Sequence, residues 1–170
     1  MFVTVPKRAM KTIVKKILPR VKKTIPTAVM TAIVMTNSLT ACQTRQLTAA
    51  EAYDIIISSG EWAVMEPVTD EYILKTRFLI DDPAGYDELI VMECPASAVV
   101  SEIILIRDED TAAAEELLER RRAKAIEKDS LYPEDRKIAE SSVVGTVGQL
   151  AYFIMGEYAR EGEEALLSKR

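Results

Sequence analysis

The spacing of apolar residues changes several times along the chain, and each change predicts an element. Thr48 followed by Glu51 fits a capping box, so a helix starts there, carries Ala52, Ile55, Ile56 and Ile57, and stops at Gly60. Trp62, Val64 and Met65 come next, and Pro67 breaks the chain. Thr69 with Asp70 and Glu71 opens a second helix bearing Tyr72, Ile73, Leu74 and Phe78, its early acids complementing the helix dipole. Asp81-Asp82-Pro83-Ala84-Gly85 reads as a turn. Leu89 to Cys94 is a strand closed by Pro95, and Val99 to Arg107 is another. The unbroken run Ile103-Ile104-Leu105-Ile106 suits a strand covered on both faces.

The clearest helix spans Thr111 to Lys128, where Ala114, Leu117, Leu118, Arg121 and Ala125 fall on one side. Glu116 and Arg120 form an i, i+4 pair on it. Tyr132-Pro133-Glu134-Asp135 begins a short helix with proline at its first position. Ser141–Thr146 and Leu150–Met155 are β-rich runs about Val147-Gly148, which predicts a hairpin, and a last helix runs from Glu157 to about Leu167. Two β-pairs separated by helices predict an α+β fold, an antiparallel sheet of about four strands with helices packed on it.

The first 41 residues follow a different logic. They hold eight Lys and Arg and no Asp or Glu, and then a weakly apolar run from Ile25 to about Ser38. A basic region, an apolar region of ~7–15 residues and a small-residue processing site are the order of a secretory signal. Either Met1 or Met10 serves as its start. The run is too polar for a permanent span, which needs roughly 20 mostly apolar residues. It ends in Leu39-Thr40-Ala41-Cys42, which reads as a lipobox. The Cys42 thiol would accept a diacylglyceryl group, and cleavage before it would free an amine for a further acyl chain. Each buried CH₂ contributes ~0.8 kcal/mol, and two chains anchor stably where one does not. The expected organisation is a signal peptide over 1–41, a lipidated tether over 42–47 and one α+β domain over 48–170. The expected place is the extracytoplasmic face of the cell membrane.

Charge sharpens this division. All 27 acidic residues but only 14 of the 22 basic ones follow residue 41, so the mature part carries a formal charge of −13. Such a body lacks the basic footprint that nucleic acid requires. It also does not lie flat on an anionic membrane face. The chain has no histidine, which removes histidine triads, histidine metal sites and histidine pH switches. Cys94 would be the only thiol left after lipidation, so no internal disulfide is expected, and its apolar surroundings predict a small buried hydrophobe. No cofactor or metal is implied.

Four places carry candidate chemistry. Asp81, Asp82, Asp87 and Glu88 offer oxygens to a hard cation, although their spacing is not that of an EF-hand and a solvated turn explains them. Arg121 is the one member of Arg120-Arg121-Arg122 on the apolar side of its helix. It either snorkels, pairs with a buried carboxylate such as Glu102, or meets an anionic ligand. Trp62, Tyr132, Tyr152 and Tyr158 either line a groove for sugar or peptide or pack the core. Glu88 with Glu93, or Glu102 with Arg107, would be the acid pair of a hydrolase.

Tyr86-Asp87-Glu88 before the first strand, Ser101-Glu102-Ile103 opening the second, the arginine-bearing long helix with Tyr132-Pro133-Glu134 after it, and the Gly148-to-Tyr152 segment together resemble the bacterial lipoproteins grouped as domain of unknown function family 4358. The resemblance implies a lipid-anchored extracytoplasmic α+β domain and brings no functional residues, because that family has no established activity. The functional expectation is a non-enzymatic binding or accessory domain at the cell envelope, meeting an envelope protein or a small ligand. A carboxylate-dependent envelope enzyme and a structural or assembly lipoprotein are the alternatives.

Overall fold

Helix α1 (Ala49–Ile57) starts where its capping residues require. Thr48 Oγ1 accepts from the Glu51 N–H at 3.2 Å, and the Glu51 carboxylate accepts from the Thr48 N–H at 3.1 Å. The structure is a computed structural model and describes residues 46–95, 100–129 and 132–169. The lipobox residues Leu39, Thr40, Ala41 and Cys42, with the leader and most of the tether, lie outside the described residues.

The remaining elements follow in the order β1 (Glu66–Pro67), α2 (Glu71–Thr76), a 3₁₀ turn at Pro83–Gly85, β2 (Glu88–Glu93) and β3 (Glu102–Arg107). Then come α3 (Thr111–Lys124), α4 (Pro133–Glu140), β4 (Val143–Val147), β5 (Leu150–Met155) and α5 (Ala159–Leu167). The strands form one antiparallel sheet in the order β1-β2-β3-β5-β4. Gly148, at φ +62°, takes the turn of the β4–β5 hairpin in a backbone region that other residues enter at a cost.

β3 and β5 fill the middle of the sheet, and every residue of both except Arg107 is buried. Because side chains alternate across a strand, this places two cores back to back. Ile104, Ile106, Ala151, Phe153 and Met155 meet Leu74 and Phe78 of the α2 segment, Leu117 and Leu118 of α3, and Ala139 of α4. Ile103, Leu105, Leu150, Tyr152 and Ile154 meet Ala52 and Ile56 of α1 and Ala159 and Leu166 of α5. The arrangement is three layers: helices, sheet, helices. A fully buried Ile or Leu contributes ~1.5–3 kcal/mol, so the Ile103–Ile106 run ties both layers to one strand.

The sheet has five strands where the sequence predicts about four. The added strand is β1, only two residues long, too short for any periodicity to register. Pro67 does not break the chain. It pairs opposite Met92 on the sheet edge, where a residue without an N–H is tolerated, and Val68 then donates to the Val91 carbonyl at 2.9 Å. The long helix also ends earlier than its pattern predicts. Its α-helical part stops at Lys124 and continues as a π turn over Ala125–Asp129. β3 begins at Glu102 rather than Val99, β4 at Val143 rather than Ser141, and α5 at Ala159 rather than Glu157. Cys94 is half-buried rather than enclosed. No helix among the described residues is long and apolar enough to cross a membrane.

Candidate functional site

The sheet end where β3 begins and β5 finishes gathers most of the polar and aromatic chemistry. Trp62 follows α1, and its indole N–H donates to the Ile56 carbonyl at 3.0 Å, satisfying an acceptor at the end of that helix. Its ring lies against Gly156, where a Cβ would come within 2.7 Å of the indole Cζ3 and 3.1 Å of Ser101 Oγ. Gly156 also sits at φ +153°, so a larger residue is doubly opposed there. Tyr158, the residue before α5, packs over Gly60 in the same close manner. The Trp62 and Tyr158 ring centroids are 6.1 Å apart with planes tilted by 59°.

Beside these rings is a cleft of about 370 Å³, lined also by Ala63, Val100, Ser101 and Ile138, with the exposed carboxylates of Glu61 and Glu157 at its margin. Among the described residues lining it, none is basic. Ser101 is 8% exposed, and its hydroxyl has no hydrogen-bond partner among the described residues.

One residue further along β3, the side chain of Glu102 points into the α2–α3–α4 layer and meets Arg121. Arg121 Nε donates to Glu102 Oε1 at 2.8 Å and Nη2 to Oε2 at 2.6 Å, and both residues are 1% exposed. The guanidinium also lies 5.2 Å from the Phe78 ring centroid. Glu102 stands directly opposite Glu93 on β2, and like charges so placed repel. Arg77 bonds Glu93 at 2.6 Å, so each carboxylate has its own guanidinium. Burial pushes the Glu102 carboxyl above its ordinary range against the pull of Arg121 and, after it, Arg77; Glu93 adds to the upward push.

The other candidates separate. Glu88 and Glu93 stand at opposite ends of β2, five residues and so about 17 Å apart along the strand. Glu102 and Arg107 are split in the same way along β3. Glu88 instead holds Arg107 at 2.8 Å and accepts the Ala49 N–H of α1 at 2.6 Å. Asp81 pairs with Lys75 at 3.0 Å, and no group of three or more carboxylates or thiols is placed to hold a metal among the described residues.

The four aromatic candidates also divide. Tyr152 is buried in the sheet and donates to Glu163 of α5 at 2.8 Å, while Tyr132 is exposed before α4. Only Trp62 and Tyr158 come together. Ser101 enters the sequence reading only within Ser101-Glu102-Ile103, and the close ring approaches at Gly60 and Gly156 carry no motif that sequence reasoning could use.

The family model described as Domain of unknown function (DUF4358) matches residues 58–156. The matched span holds Trp62, Ser101, Glu102 and Arg121 and ends at Gly156, two residues before Tyr158. No curated protein and no solved structure matches the chain.

Proposed function

The chain belongs to the domain-of-unknown-function family DUF4358, and on that premise we propose a membrane-anchored extracytoplasmic lipoprotein whose folded part is a non-enzymatic binding or accessory domain. The observation that carries the reading is Leu39-Thr40-Ala41-Cys42 at the end of an acid-free leader that is first basic and then apolar. The fold starts at the Thr48 cap, so only residues 42–47 separate the acylated cysteine from α1. At ~3.3–3.6 Å per residue that tether reaches about 20 Å. It keeps the α1 end close to the headgroups while the −13 charge of the body opposes adhesion to an anionic surface. The Trp62–Tyr158 cleft is the binding site of this reading.

Cys42→Ser tests the anchor. The wild-type protein enters the detergent phase on phase separation, and its intact mass lacks residues 1–41 and includes acyl groups. The variant stays in the aqueous phase. A variant that still fractionates with membrane, or a native mass retaining residues 1–41 with a bare thiol, removes the lipoprotein reading.

A further inference from the structure

We infer that the Trp62–Tyr158 cleft binds a small organic cation, a primary ammonium carried on an apolar stem. The inference rests on reading this domain as a binding domain and gives the ligand's chemical class. Aromatic faces attract cations through the ring quadrupole, most strongly at tryptophan, and two rings meet here in fixed positions. Trp62 is pinned by its bond to the Ile56 carbonyl and by the close approach of Gly156, so a ligand finds the ring already placed.

Charge selects the sign. Glu61 and Glu157 border the cleft with no basic residue among its described lining, so an anion is repelled and a cation is drawn in. Ser101 supplies an independent indication. The residue is 8% exposed at the cleft wall, and its hydroxyl bonds no described residue, which leaves its oxygen open to a donor entering from the cleft. An ammonium has three donors and no acceptor, so it satisfies that oxygen while its remaining N–H groups face the carboxylates. The volume of about 370 Å³ suits the stem and head of a lysine-like group.

Trp62 is the only tryptophan of the chain, so intrinsic emission reports this cleft directly. The test is a titration of the full-length protein in non-ionic detergent with Nα-acetyl-lysine amide, Nα-acetyl-norleucine amide and N-acetylglucosamine. The lysine derivative should give a saturable change that weakens with added salt, and the neutral norleucine derivative should give none. A Glu61→Gln/Glu157→Gln double variant should weaken binding about tenfold with no change in melting temperature, since both residues are exposed. Ser101→Ala should weaken it severalfold. Equal responses to the lysine and norleucine derivatives, unaltered affinity in the double variant, or no saturation with lysine amide up to about 10 mM would each overturn the inference. Saturation by N-acetylglucosamine alone would overturn the cation and leave a binding domain. The anchor stands or falls separately, on detergent partitioning of Cys42→Ser.

Discussion

An arginine cannot shed its proton inside a protein, so burying Arg121 commits the fold to a carboxylate at Glu102. Removing one partner of such a pair costs about 3–5 kcal/mol, whereas replacing both with apolar residues is often neutral or better. Arg121→Met is therefore predicted to lose roughly that amount near neutral pH, and Glu102→Leu added to it should recover most of the loss. The sign of the pH dependence follows from burial. An acid whose folded pKa lies above its unfolded value of about 4.3 binds more protons when folded, so its stabilising contribution is lost as pH climbs through that window. In wild type, Arg121 limits the upward shift of Glu102. In the Arg121→Met variant the window extends upward, so its deficit in urea unfolding should be larger at about pH 8 than at about pH 5. Equal deficits at both would show that the guanidinium contributes packing alone. The position of Arg121 on an apolar helix face was readable from spacing. Its meeting with Glu102, 19 residues earlier, depends on how α3 crosses β3, and no local pattern encodes that. The aromatic residues were legible as a group of four and no further. Which two meet is set by Gly60 and Gly156, whose missing side chains make room for the rings.

Elements here are joined by a few polar contacts that span long stretches of sequence. Glu88, the first residue of β2, holds the Ala49 N–H and Arg107 together, and so ties the start of α1 to the sheet edge 39 residues on. An N–H in the first turn of a helix has no partner within the helix, and a charged acceptor satisfies it more strongly than a neutral one. Glu88→Ala is predicted to cost about 1.5–3 kcal/mol, the range for hydrogen bonds to charged groups. It should raise amide exchange in α1 while β3 and β5 keep their protection. Uniform loss of protection would mean that α1 docks as part of the sheet rather than through this contact. Capping at Thr48 and the turn at Gly148 were both legible, because each depends on residues next to it in sequence. β1 was not, since two residues with a proline carry no period, and their pairing is dictated by the open edge of β2. The end of α3 escapes the pattern for a similar reason. Its apolar spacing continues through Ala125 and Ile126, while the backbone there widens to a π turn.

Across the molecule, the mixture of helices and antiparallel pairs was legible, and the assignment of helices to faces was not. Fully apolar runs such as Ile103–Ile106 have no polar side to orient them, so they predict a covered strand without saying what covers each face. The structure answers through alternation. Ile104 belongs to the α2–α3–α4 core and Leu105 to the α1–α5 core, yet they are neighbours on one strand. Two cores sharing their central strands should not melt separately, because losing either exposes β3 and β5. Ile104→Ala and Leu105→Ala are each predicted to cost about 2–5 kcal/mol, with one transition in both variants. Trp62 packs with the α1–α5 core, so its emission follows that layer, while far-ultraviolet circular dichroism follows all helices. Coincident curves from the two probes mean cooperative unfolding. If Leu105→Ala displaces the fluorescence curve alone, the layers are independent, and the central strands do not couple the Trp62 cleft to the Glu102–Arg121 pair.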